Sequence, residues 1–300
     1  MQKQFFGVLP AVVTPVDGAG NFQAAPFARL LARLYDAQVH GLYVCGQTGE
    51  GWQQSAAQRM RVAEAAMEHS PAGKQVIVHV GAISTNKAVT LARHAAGIGA
   101  TAISSLPPAG GFSFIEIKEY YRTLAEASSV PLLVYYFPSL APAITQLDQL
   151  LELCALPNVA GLKFTDSDFF KLSSLARSGA VVFNGSDEML AAGLLRGACG
   201  GIGSIYNLVP DLFVELYSQS AAGDWSAASR TQDHINDLIG IILRYPVLAA
   251  VKTLLAWSGL DCGPCIKPRR DLTSAESVSL REQIGASAFA GRFGSAEGRG

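Results

Sequence analysis

The sequence predicts an α/β protein, a (β/α)8 TIM barrel with a C-terminal helical extension. Eight short apolar runs recur at a nearly constant interval, and stretches with helical periodicity separate them. The runs are apolar at most consecutive positions rather than at alternate ones, Val159-Ala160-Gly161-Leu162 being the clearest. Strands of a parallel sheet carry that signature, because helices cover both faces. The rival, a doubly wound open sheet, typically carries a glycine-rich phosphate loop after its first strand, and Thr14-Pro15-Val16-Asp17 is not one.

Taken in order, the predicted strands are Val8–Thr14, Gly41–Cys45, Gln75–Gly81, Ala100–Ser105, Pro131–Tyr135, Val159–Lys163, Ala180–Asn184 and Gly200–Ser204. Several intervening helices open with capping-box spacing: Ser55 with Gln58, Ser113 with Glu116, Thr145 with Asp148. In each pair a side-chain oxygen takes a backbone N–H while its partner reaches back to the cap. After about Ala222 the strand signal stops. Trp225–Leu243 and Val247–Ser258 read as helices, interrupted at Tyr245-Pro246 because proline cannot continue a helix. A further helix is expected over Asp271–Ala286, opened by Thr273 and Glu276. The barrel is therefore assigned to 1–222 and the helical extension to 223–300. The Gly-, Ala- and Ser-rich stretch from Ser287 reads as a frayed tail.

Bulk properties narrow the function classes. The 300 residues are 49% hydrophobic with a formal net charge of −1, enough apolar content for a large core and no charge reason to expect a nucleic acid or a membrane surface. Five cysteines, an odd number mostly in apolar segments, suit a reducing cytoplasm. Neither a signal peptide nor a run of roughly 20 apolar residues is apparent. The five histidines show no metal-ligand spacing, and His79 reads as a satisfied core residue. No metal or cofactor is called for. Cys262-Gly263-Pro264-Cys265 has dithiol spacing, but it follows a helical extension rather than the first strand of a βαβ unit, so it reads as a turn with two incidental thiols.

In barrels of this kind the chemistry gathers at the carboxyl ends of the strands. Those ends carry Gly46-Gln47-Thr48-Gly49-Glu50, Tyr135, Lys163 with Thr165, Gly185 with Asp187 and Glu188, and Gly203 with Ser204. Burying an ammonium favours its neutral, nucleophilic form, so a lysine at the end of Val159-Ala160-Gly161-Leu162 is a candidate Schiff-base former. Tyr135, one unit upstream at the matching strand end, is a candidate proton shuttle. A strand-end lysine that merely snorkels out to solvent, or a tyrosine that only packs, would explain either residue alone. Together they point to an enzyme. Gln47 and Thr48, with exposed N–H groups around them, read as a carboxylate clamp.

Four motifs, Gly41-Leu42-Tyr43-Val44-Cys45-Gly46-Gln47-Thr48-Gly49-Glu50, Tyr135-Tyr136-Phe137-Pro138, Gly161-Leu162-Lys163-Phe164-Thr165 and Asn184-Gly185-Ser186-Asp187-Glu188, occur in order at the right intervals. Over roughly Phe6 to Thr273 the chain resembles the pyruvate-dependent class I aldolases, the family that includes N-acetylneuraminate lyase and dihydrodipicolinate synthase. The resemblance implies a homotetramer and a small 2-oxo acid substrate. Within the family the chain is more similar to the sialic acid lyases, whose matching residues here, Asp187, Glu188 and Ser204, would hold a polyhydroxylated tail. It implies cleavage of a 2-oxo-3-deoxy sugar acid, N-acetylneuraminate foremost, to pyruvate and an aldehyde. The alternatives are aldolase or dehydratase action on a shorter sugar acid, or a synthase-like condensation. Leu140 disfavours that last one, because the synthases place an arginine there. A catalytically silent barrel that senses pyruvate or a sugar acid is a third class, opposed by the presence of both Tyr135 and Lys163. Three departures stand out. Gln47 replaces a hydroxyl residue, Pro107-Pro108-Ala109-Gly110-Gly111 lacks a relay aromatic, and Tyr136 replaces a smaller polar residue.

Overall fold

The computed structural model describes residues 5–294. Eight parallel strands form one sheet: β1 (Gly7–Pro10), β2 (Gly41–Val44), β3 (Gln75–His79), β4 (Ala102–Ser105), β5 (Leu132–Tyr136), β6 (Val159–Phe164), β7 (Val181–Asn184) and β8 (Gly200–Gly203). A helix follows each: α1 (Ala24–Asp36), α2 (Ala56–Glu68), α3 (Thr85–Gly97), α4 (Phe114–Ala127), α5 (Leu147–Cys154), α6 (Phe169–Arg177), α7 (Leu190–Leu195) and α8 (Pro210–Ala221). β1 pairs with β8, and a parallel bridge between Ala11 and Tyr43 brings β1 back to β2, so the sheet closes into a barrel.

Two apolar layers explain the uninterrupted hydrophobic runs. Leu132, Val134 and Tyr136 of β5 face the helices and join the large outer core. Leu133 and Tyr135 face inward, where they pack with Leu9, Tyr43, Ile77, Phe183 and Ile202. All five residues of β5 are buried, as a strand covered on both faces must be.

One strand pair departs from regular register. Leu132 pairs with Val159, but Leu133 pairs with Gly161, so Ala160 is bulged out and the remaining pairs are Val134 with Leu162, Tyr135 with Lys163 and Tyr136 with Phe164. Were the same residues paired in regular register from Val159 onward, Lys163 would lie beside Tyr136 and face the helices, because a shift of one residue swaps the two faces of a strand. Gly161 makes the bulge possible. A Cβ there would stand 1.9 Å from the carbonyl oxygen of Val181.

Several local expectations are corrected. The first strand ends at Pro10 rather than Thr14. Beyond it the backbone is held by Asn207, which accepts from Val13 N–H (3.2 Å) and donates to the Ala11 carbonyl (2.8 Å). Thr145 does not cap α5. The helix starts one residue later than expected, and the longer Gln149 side chain reaches the backbone N–H of both Thr145 (2.8 Å) and Gln146 (3.0 Å). Ser55 caps α2 as expected, but Gln58 turns away to bond Phe22 and Gly20. Ser113–Glu116 and Thr273–Glu276 form full capping boxes.

The extension comprises α9 (Trp225–Ile242), α10 (Val247–Trp257) and α11 (Ser274–Gly285). α9 and α10 meet at a bend of 107° across Leu243–Pro246. Among the described residues, no single helix is long and apolar enough to cross a membrane. The expected fraying from Ser287 is not seen as far as Gly294. Phe289 and Phe293 are buried, His234 stacks on Phe289 at 4.6 Å, and Arg292 pairs with Asp211 at 2.6 Å. Residues 295–300 lie outside the described residues.

Candidate active site

A cavity of about 690 Å³ opens at the carboxyl ends of the strands. It is lined by all ten residues singled out from the sequence: Gln47, Thr48, Tyr135, Lys163, Thr165, Gly185, Asp187, Glu188, Gly203 and Ser204. Lys163 is 5% exposed, and its Nζ lies 4.2 Å from the centre of the Tyr135 ring and 4.9 Å from that of Tyr43. No carboxylate pairs with this amine among the described residues. Tyr43 was not singled out from the sequence. Its only signal there is parity, since it shares the inward face of its strand with Gly41. Its hydroxyl donates to Ser104 Oγ (3.1 Å), and burial holds the phenol well above its usual pKa.

His79 lies on the adjacent strand and is a core residue, as expected. Its Nε2 accepts the Leu106 N–H (3.0 Å), while burial and the nearby Arg59 guanidinium push its pKa far down, so the imidazole is neutral. Arg59 donates to the carbonyls of Gly81 (2.9 Å) and His79 (2.6 Å), fixing the end of β3. Trp52 donates to the same Gly81 carbonyl (3.1 Å) and packs; it does not line the cavity.

The loop after β2 is tightly folded. Cys45 (φ 59°) and Glu50 (φ 53°) bracket it in the left-handed region, an uncommon conformation for residues with a Cβ. Gly51 sits so close to the Cys45 carbonyl that a Cβ would come within 1.9 Å of it. Thr48 Oγ1 and Ser204 Oγ share a 2.6 Å hydrogen bond, joining the loops after β2 and β8. Glu50 turns away from the cavity. Its buried carboxylate pairs with Lys252 of α10 at 2.8 Å and accepts the Ile266 N–H at 2.6 Å. Lys252 also donates to the Pro264 carbonyl (2.6 Å).

Across the cavity, Asp187 Oδ2 accepts the Ile205 N–H (2.8 Å), and its other oxygen packs on Gly203, where a Cβ would come within 1.9 Å. Burial pushes the Asp187 carboxyl up to about 6, with neighbouring Glu188 adding to the shift. α9 holds this turn from outside: Gln232 donates to the Asp187 carbonyl (3.1 Å) and Asn236 to that of Glu188 (3.2 Å). Among the described residues Thr165 Oγ1 is buried without a hydrogen-bond partner, close against Gly185. Ile239, Ile242, Leu243 and Val247, at the bend between α9 and α10, add an apolar wall that the sequence reading missed. Nothing in the helical periodicity of these residues distinguishes a cavity wall from a packing face.

The chain matches the model of the dihydrodipicolinate synthetase family over residues 4–287. It belongs to that family. Among its relatives is an N-acetylneuraminate lyase of Rhizobium meliloti, 36% identical over 281 residues, covering 93% of this chain and 94% of the relative. N-acetylneuraminate lyase 2 of Escherichia coli O6:H1 is 36% identical over 273 residues, covering 89% and 90%. Among solved structures, that of CdNal from Clostridium difficile in complex with mannosamine superposes with a TM-score of 0.89 at 29% identity, covering 96% and 99%. A catalytic lysine mutant of the Ruminococcus gnavus sialic acid aldolase gives a TM-score of 0.88 at 28% identity, covering 94% and 95%. The chain is thus an enzyme, a carbon–carbon lyase of the class I aldolase type.

In this family member the paired thiols of Cys262 and Cys265 are buried and free, and burial pushes both up to about 12, the reverse of an activated dithiol.

Proposed function

We propose that this enzyme cleaves N-acetylneuraminate to N-acetylmannosamine and pyruvate through a Schiff base on Lys163. The observation that carries the reading is the register pairing of Lys163 with Tyr135 on the wall of a cavity that is also lined by Asp187, Glu188 and Ser204. The names of the relatives, and the catalytic lysine of the Ruminococcus enzyme, support it.

In this mechanism Lys163 Nζ adds to the 2-oxo carbon of the open-chain sugar acid, and loss of water leaves an iminium. Tyr135 donates the proton that the departing oxygen needs. The phenolate so formed takes the proton from the C4 hydroxyl. The C3–C4 bond then breaks, its electron pair flows into the iminium to give an enamine, and the aldehyde leaves. Protonation at C3 and hydrolysis release pyruvate and restore the amine. Gln47, Thr48 and the surrounding loop N–H groups hold the carboxylate. Thr165 and Gly185 bound the middle of the substrate, and Asp187, Glu188, Gly203 and Ser204 bound its polyol tail. The reading also carries the family's homotetramer in the cytoplasm, which light scattering and fractionation test.

The decisive experiment couples pyruvate release from N-acetylneuraminate to lactate dehydrogenase and NADH. Wild type turns over, and Lys163→Ala loses about 10⁶-fold, the scale seen when a covalent nucleophile is removed. Borohydride with pyruvate adds mass to the peptide containing Lys163. Trapping without turnover would reject this sugar and leave shorter 2-oxo-3-deoxy acids as the substrates; no trapping would reject the Schiff base itself.

A further inference from the structure

Gln47 is a lining residue whose hydrogen-bond orientation is set from outside the cavity. Its Oε1 accepts from the Arg269 guanidinium at 3.2 Å. A guanidinium has donors and no acceptor, so the amide facing it must present its oxygen. The Gln47 Nε2 group is then left with two free donors and no protein partner among the described residues. Gln47 separates two spaces. On one side lies the large cavity with Lys163, and on the other a smaller one of about 150 Å³ lined by Thr48, Ser204, Val247 and Arg269.

Arg269 has no acidic partner among the described residues, unlike its neighbour Arg270, which pairs with Glu276 at 2.6 Å. Its side chain is exposed, but its backbone N–H donates to the Ile266 carbonyl (3.1 Å), in a segment that is itself anchored. Three residues earlier, Ile266 N–H is held by Glu50 of the same loop that carries Gln47, and the Cys265 N–H is held by Asp271 Oδ1 (2.8 Å). One chain segment therefore grips the Gln47–Glu50 loop at both ends.

We propose that Arg269 is a positioning residue for substrate binding: by holding the Gln47 amide oxygen outward it turns Nε2 into the cavity, where it donates to the carboxylate of the 2-oxo acid. The inference rests on the carboxylate site proposed above. It assigns to a side chain of the C-terminal segment a task that a hydroxyl at position 47 would not require. A serine there is too short to reach Arg269 and has no amide to orient.

The test is a double-mutant cycle read by pyruvate half-saturation of borohydride trapping at Lys163. In the Gln47 background, Arg269→Met raises the half-saturating pyruvate concentration by about tenfold, the equivalent of one charge-assisted orientation, while the maximal trapping rate is unchanged. In the Gln47→Ser background the same Arg269→Met change moves it less than about twofold. Arg269→Lys, which still donates to Oε1, restores part of the loss. An equal effect in both backgrounds would overturn the proposal in favour of simple charge attraction. No effect in either would overturn it outright. A wild type that traps no pyruvate would fail the underlying reading instead, so the two failures are distinguishable.

Discussion

The strand-borne half of the site and its loop-borne half are built by different means. Tyr135 and Lys163 stand on adjacent strands, and their meeting is dictated by sheet register together with the bulge at Ala160. Gln47, Thr48, Asp187 and Glu188 stand on loops whose shape the barrel does not impose. Those loops are clamped by the extension, through Glu50–Lys252, Gln47–Arg269 and the two α9 amides on the Asp187–Glu188 turn. The strand half gains its rigidity from burial in the common core. The loop half gains it from a few polar contacts to two helices, α9 and α10, and to the segment that follows them, none of which contributes to the barrel ladder. On the proposed reading, chemistry is placed on strands buried in the common core, and recognition on loops that can be retuned by changing one segment.

Four substitutions sharpen that contrast, in descending order of effect. Tyr135→Phe removes the proposed proton shuttle from the strand half; turnover falls about 10²–10⁴-fold with pyruvate affinity little changed. A matched fall in both would show that the phenol serves binding instead. Glu50→Gln strikes the loop half. It leaves the buried Lys252 ammonium unpaired, at a cost of about 3–5 kcal/mol in stability measured by denaturant unfolding. If stability holds while activity collapses, the clamp is local to the site rather than part of the fold.

Gly161→Ala pushes a methyl group into the Val181 carbonyl and strains the bulge, costing about 1–3 kcal/mol. Slower borohydride trapping, out of proportion to the stability lost, would show that Lys163 has been displaced from its register with Tyr135.

The smallest effect concerns pH. The Asp187 carboxyl is raised from 3.8 to about 6, so it is protonated below about pH 6 and ionised above. An ionised carboxylate accepts two hydroxyl donors where the acid accepts fewer, so KM for the sugar acid rises as the pH falls through 6. Asp187→Asn flattens that profile. For folding the sign is opposite to that of an ordinary paired carboxylate. The folded state holds this proton more tightly than the unfolded one, so the contribution of Asp187 to stability declines as the pH rises from 3.8 to about 6. Denaturation midpoints of wild type and Asp187→Asn across that window read it directly.

The barrel, and most of the polar residues on its rim, can be read from the linear chain. Unbroken apolar runs are required wherever a strand is covered on both faces, and the first polar residue after each run marks the rim. Lys163, Tyr135, Thr48, Asp187 and Ser204 were legible for that reason. Two features emerge only in the folded chain. The bulge at Ala160 is invisible in a period-2 or all-apolar reading, because an inserted residue changes which face a side chain takes without changing composition; Gly161 was its one trace. The clamp from the extension joins Glu50 to Lys252 across 202 positions and Gln47 to Arg269 across 222. Contacts at that separation leave no local pattern: each partner by itself is one more charged or polar residue in a helix or a loop, and only the folded chain brings them within hydrogen-bonding distance.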